Sequence, residues 1–118
     1  MSFNFFFRFI RNIFYWFFIF DINGLKASYD ANRYLIGTPV IGNLDSDEEL
    51  EVVVGGYSGS TSSNPLFAIN ADGTEVEGFP YTVGEKIKAG VAIFDMNENG
   101  VDDIIFGTEL KLNVFIVA

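Results

Sequence analysis

The chain has 118 residues, 49% hydrophobic and 19% charged, with a net charge of −9, which is room for one small domain. It contains no cysteine and no histidine, excluding disulfides, thiolate nucleophiles, cysteine or histidine zinc sites and any Ser-His-Asp triad. Residues 1–20 carry only Arg8 and Arg11 (+2), while residues 21–118 hold 16 acids against five basic residues (5 − 16 = −11); a surface that acidic repels phosphate backbones, arguing against nucleic-acid binding, and attracts hard cations.

Taken in chain order, residues 1–20 hold nine phenylalanines plus Tyr15 and Trp16. The uninterrupted apolar run, Ile13–Phe20, is eight residues, far short of the roughly 20 that cross a bilayer. Arg8 and Arg11 before an apolar run are the layout of a signal peptide, but Asp21-Ile22-Asn23-Gly24 follows where a small-x-small cleavage site belongs. Membrane contact is expected only if residues 1–20 act as a signal or anchor. The Phe stripe of residues 3–9 leaves three readings open: a membrane-facing start, a strand, or sequence never selected for folding.

Residues 14–20 read as a strand entering an Asn-Gly turn, with a second strand near Leu25–Tyr29. Strands are expected at 35–42 and 51–55, separated by an Asp/Asn-rich loop. Residues 56–65 are a Gly/Ser loop without apolar periodicity. Residues 66–70 form a strand running into the Asp72-Gly73 turn, and 75–83 a strand interrupted by Pro80. The remaining strands are expected at 87–94, 103–107 and 112–118, and no segment has helical periodicity.

Two nine-residue stretches place oxygen-bearing side chains at positions 1, 3, 5 and 9: Asn43, Asp45, Asp47 and Glu51, then Asp95, Asn97, Asn99 and Asp103. The second begins 95 − 43 = 52 positions after the first. In a tightly curled loop alternate side chains point inward, so positions 1, 3 and 5 converge, and a carboxylate at position 9 closes the cage around a calcium ion. Position 12, where a helix-loop-helix calcium site needs Glu, is Val54 or Phe106, and both flanks are strand-like. One such loop alone is most often an ordinary turn; two in register favour the ion.

The same shift lays Val52-Val53-Val54-Gly55 on Ile104-Ile105-Phe106-Gly107. A shift of 49 lays Phe18–Gly24 on Phe67–Gly73. Four strands in about 50 residues are the signature of a β-propeller blade.

At this point the residues resemble a known family. Asp/Asn-x-Asp/Asn-x-Asp/Asn-Gly-x-x-Asp/Glu followed by an apolar strand and Gly is similar to the FG-GAP/VCBS repeat of integrin-α-like propellers. Gly37–Asp45, Leu66–Gly73 and Gly78-Phe79-Pro80 resemble it too, so the match spans roughly residues 16–118. The resemblance implies the eight side-chain ligands above, with the position 7 carbonyls of Glu49 and Val101. The chain departs from the pattern at Asn43, where Asp is usual, and at Glu48, where Gly is usual.

The expected fold is therefore all-β: a partial β-propeller of one full four-stranded blade and two part-blades. The expected division is a Phe-rich segment 1–13, trailing strands 14–34, a full blade 35–84 and a truncated following blade 85–118. The expected cofactor is Ca²⁺ and the expected partners are further blades, from this chain or another, with a protein or glycan ligand. A secreted or cell-surface binding or adhesion role is preferred to an enzyme. The alternatives are an accessory or catalytic propeller of a secreted carbohydrate-active or quinone-dependent enzyme, or a gene fragment. Gly100 favours the second loop as the better formed, because Glu48 would need a left-handed backbone costing about 1–2 kcal/mol. Glu48, Glu98 and Asp102 read as solvated. Tyr57, Tyr81 and the Ser-rich loop read as ordinary edge residues rather than a sugar-binding rim.

Overall fold

The computed structural model describes residues 4–10, 14–32, 35, 38–56, 65–85, 87, 90–108 and 112–115. They form ten strands and no helix: β1 Asn4–Ile10, β2 Phe14–Asp21, β3 Gly24–Asp30, β4 Val40–Gly42, β5 Glu51–Gly55, β6 Pro65–Ile69, β7 Tyr81–Thr82, β8 Val91–Phe94, β9 Asp103–Gly107 and β10 Leu112–Phe115. Consecutive strands pair antiparallel in three meanders, β1-β2-β3, β4-β5-β6-β7 and β8-β9-β10. The protein is all-β, in small antiparallel sheets.

Turn chemistry sets these hairpins. Between β2 and β3, Asp21 Oδ1 accepts the Asn23 N–H at 2.7 Å, and Gly24 takes φ +116°, a region costly for any side chain. After β6, Asp72 Oδ1 accepts the Thr74 N–H at 2.9 Å and Gly73 takes φ +91°. Of the three readings for the Phe stripe, the structure has the strand: β1 pairs with β2 along its length, Phe6 opposite Phe18.

Several expected strands are shorter in the structure. Of the one expected at 35–42, β4 covers Val40–Gly42 and residues 36–37 lie outside the described residues; Thr38 and Pro39 precede β4, and Pro39 has no N–H to give a ladder. The one expected at 75–83 is a single bridge from Glu75 to Ile69 and then β7, because Gly78 turns the chain at φ +91° and Pro80 donates nothing. Of that at 87–94, β8 covers Val91–Phe94 and residues 88–89 lie outside the described residues, as does part of that at 112–118.

The four-stranded sheet lies between the other two, and β5 explains why. Successive side chains of a strand point to opposite faces. Val53 packs with Leu44, Leu66, Ile87, Val91, Ile104 and Phe106 on one side. Val52 and Val54 pack with Ile19, Leu35, Phe67 and Ile69 on the other. All three valines are fully buried, worth about 2 kcal/mol apiece at the usual transfer value. A strand buried on both faces reads as a continuous apolar run, as Val52-Val53-Val54 does. On the second side Tyr29 also bridges the sheets, with its ring edge-on to Phe67 at 5.7 Å and its hydroxyl donating to Glu75 Oε2 at 2.5 Å.

The sheets approach closely where glycine permits. A Cβ on Gly55 would lie 2.3 Å from Ile87 Cγ2, whereas one on Gly107, 107 − 55 = 52 positions on, would meet nothing within 4 Å among the described residues. Gly55→Ala is expected to cost about 1–3 kcal/mol by overpacking, while Gly107→Ala is expected to be neutral. Urea midpoints of the two variants measure the difference, and equal midpoints would contradict this packing.

Candidate metal centre

The first loop runs from the end of β4 to the start of β5, and the second from β8 to β9. Both are folded by their own acids. Leu44 donates its N–H to Glu51 Oε2 at 2.6 Å, and 52 positions on Met96 donates to Asp103 Oδ2 at 2.9 Å. Glu49 donates to Asp47 Oδ1 at 2.9 Å, and 52 positions on Val101 donates to Asn99 Oδ1 at 3.1 Å. In each loop the position 9 carboxylate caps position 2, and the position 5 side chain caps position 7. Glu51 and Asp103 are both fully buried, each at the first residue of a strand.

The loops then diverge. In the first, Asp45 Oδ1 accepts the Asp47 N–H at 2.9 Å. Asp45, Asp47 and Glu51 bring one oxygen each within 4.8 Å of one another. Two oxygens held about 2.4 Å from one calcium ion stand at most about 4.8 Å apart, so the spacing fits. Two acceptors here have no donor in hydrogen-bonding geometry among the described residues: Glu51 Oε1 and Asn43 Oδ1, both buried. A buried acceptor without a partner costs about 1–3 kcal/mol, more for a charged one. Burial, the largest cause, raises the Glu51 carboxyl to about pH 7. The Leu44 N–H pulls it down, and Asp45 and Asp47 push it up. A cation held by the three carboxylates would offset that repulsion.

In the second loop Asp95 turns both oxygens onto the loop itself. Oδ1 accepts the Asn99 N–H at 3.1 Å and Oδ2 the Gly100 N–H at 2.8 Å. Asn97 and Asn99 are exposed. Gly100 takes φ +92°, as its position in the loop requires, and Glu98, two residues earlier, is left-handed at φ +58°. Glu48 has no positive φ, because the Asp45 and Asp47 side chains curl the first loop through successive two-residue turns. The ranking that the sequence suggested therefore does not hold on this geometry: the first loop gathers three carboxylates and the second is closed around one.

Asp102, which the sequence assigns to solvent, is half-buried and bound to the first loop. Its Oδ2 accepts the Asn43 N–H at 2.8 Å, and its own N–H donates to the Asn43 carbonyl at 2.7 Å. Beside the first loop an open cleft of about 460 Å³ is lined by Lys26, Asp45, Asp47, Glu49, Asn70, Ala71 and Asp72. Lys26 Nζ stands 4.0 Å from Glu49 Oε2 across its rim, an exposed pair worth about 0–1 kcal/mol. Two bonds from Thr74 hold the Asp72 carboxyl below its ordinary range. Of the tyrosine rim, Tyr81 is exposed on β7, and Tyr57 with the Ser-rich loop lies outside the described residues.

Among the described residues no helix is long and apolar enough to cross a membrane. No family model matches the chain, and neither a curated protein nor a solved structure matches it.

Proposed function

We propose that this chain is a calcium-binding β-propeller segment of a secreted or cell-surface protein, with a structural, adhesive or ligand-binding role and no catalysis of its own. The observation that carries the metal reading is Glu51 Oε1, fully buried beside Asp45 and Asp47 and without a donor among the described residues. The donor set is oxygen throughout, from carboxylates and an amide, which suits a hard cation such as calcium. Asn43, Asp45, Asp47 and Glu51 would hold the ion, with the Glu49 carbonyl as the resemblance implies. Asp95, Asn97, Asn99, Asp103 and the Val101 carbonyl make a second, weaker site in this reading. The ion braces the corner between β4 and β5, where three like charges otherwise repel.

The propeller reading rests on three consecutive meanders stacked face to face and on loop hydrogen bonds recurring at a 52-residue interval. Such units bury their faces only against neighbours, which makes further blades the first expected partner and a protein or glycan ligand the next. The raised Glu51 pKa would suit a general acid, but a side chain with no exposed surface cannot meet a substrate, which favours binding over catalysis.

Isothermal titration of the 118-residue chain with calcium tests the metal reading. Binding is expected in the weak range of extracellular modules, with a Kd on the order of 10⁻⁴–10⁻³ M. The double variant Asp45→Asn, Asp47→Asn is expected to remove the tighter event. Heat unchanged in that variant, or absent from the folded wild type, would contradict the site.

A further inference from the structure

We infer that Asp102 is a positioning residue for the cation of the first loop, so that ion binding and the docking of the β8-β9-β10 sheet on the four-stranded sheet are coupled. The inference rests on the calcium reading of that loop and deepens it. Asn43 is both the first residue of the loop and the residue that the other sheet grips. Its N–H and carbonyl are taken by Asp102 Oδ2 and the Asp102 N–H, at 2.8 and 2.7 Å. Its side chain carries the buried, donorless Oδ1 on the other arm of the same residue. Fixing the backbone of a ligand residue from both sides fixes where its side-chain oxygen stands, the ordinary role of an outer partner to a metal ligand.

The fit at this seam depends on Gly42. A Cβ there would lie 2.6 Å from Ile93 Cγ2 and 2.9 Å from Asp102 Oδ2. The chain thus gives up a side chain next to Asn43 so that Asp102 can reach it. Phe94 occupies the corresponding place, 94 − 42 = 52 positions on, and is 65% exposed. The second loop therefore has no such latch among the described residues, in keeping with its collapse onto Asp95. Coupling between two binding events is reciprocal: the latch tightens the ion, and the ion tightens the latch.

Calcium titration of the wild type, Asp102→Ala, Asp102→Asn and Glu51→Gln separates the possibilities. Asp102→Ala is expected to weaken the tighter site about tenfold. Asp102→Asn keeps an acceptor for the Asn43 N–H and is expected to stay within about threefold of wild type. Asp102→Asn matching Asp102→Ala would make the effect one of charge and overturn the positioning role. An unchanged Kd in Asp102→Ala overturns the coupling, while Glu51→Gln losing the site in the same series leaves the calcium reading standing. No binding by the folded wild type overturns both. Hydrogen exchange on the wild type supplies the arm that needs no variant. Calcium is expected to slow exchange at the Asp102 and Asn43 amides at least tenfold more than at Phe106 in mid β9, and uniform slowing overturns the inference.

Discussion

Glu51→Gln is expected to stabilise the cation-free protein above about pH 7 and to abolish the stability that the wild type gains from calcium. The Glu51 carboxyl stands at about 7 in the folded chain against an ordinary 4.5, chiefly because it is buried. Between those values the folded state binds more protons than the unfolded, so cation-free stability falls as pH rises from about 4.5 to about 7. By pH 8 the ionised carboxylate costs the cation-free protein about 3 kcal/mol, taken from that difference at 1.36 kcal/mol per pH unit. Glutamine keeps the shape and an acceptor for the Leu44 N–H without the charge. In chelator at pH 8 the variant is therefore expected to be the more stable protein, by up to about 3 kcal/mol, and at pH 4 close to wild type. Millimolar calcium narrows that gap by about half without closing it. Against a Kd on the order of 10⁻⁴ M it adds about 1.4 kcal/mol to the wild type, or roughly 5–8 °C in Tm, and nothing to the variant. Below pH 7 the proton competes with the ion, and wild-type affinity is expected to fall up to about tenfold per pH unit. Thermal melts with calcium or chelator at pH 4 and pH 8 read all of this. A variant that keeps the calcium gain, or that is less stable than wild type in chelator at pH 8, would remove Glu51 from the site.

How much of this was legible in the sequence follows from the range over which each feature acts. The β2–β3 hairpin was plain, because Asn23-Gly24 can form its turn locally and the apolar runs on either side require pairing. Val52-Val53-Val54 marked β5 because a strand covered on both faces has no polar alternation to show. Strand ends were less legible. Leu35 and Ile87 are apolar and flank strands, and they extended the pattern, yet both are buried as plugs outside any ladder. Their sequence signal is the same; only the neighbouring sheet tells them apart. The loops were legible as oxygen-rich and in register, since spacing alone carries that. Their relative quality was not, because Glu48 looked like a steric defect when the curvature is supplied by the turns at Asp45 and Asp47. Asp102 was beyond reach: it acts on Asn43 across 59 residues and reads locally as one more surface acid. A signal was there, in Gly42 standing where Phe94 stands later, since a glycine inside a strand often marks close approach of another backbone.

Leu44→Ala and Met96→Ala are expected to differ more than any other pair of corresponding positions. Each residue is second in its loop, 96 − 44 = 52 positions apart, and each gives its N–H to the carboxylate seven residues on. Alanine keeps that bond in both cases, so what the comparison measures is the side chain alone. Leu44 is 2% exposed and packs among Val53, Ile87, Val91, Ile104 and Phe106, in the layer between the four-stranded sheet and the β8-β9-β10 sheet. Its truncation is expected to cost about 2–5 kcal/mol, the lost transfer energy plus a cavity that two apposed sheets close only in part. Met96 is 51% exposed, and its truncation is expected to stay within about 0.5 kcal/mol. Urea unfolding gives both numbers. If the leucine variant also loses calcium affinity, the cavity has let the position 2 amide drift from Glu51, and the core and the ion site are one cooperative unit. Equal losses in the two variants would mean that the β8-β9-β10 sheet does not cover Leu44, since no difference in loop hydrogen bonding remains to separate them.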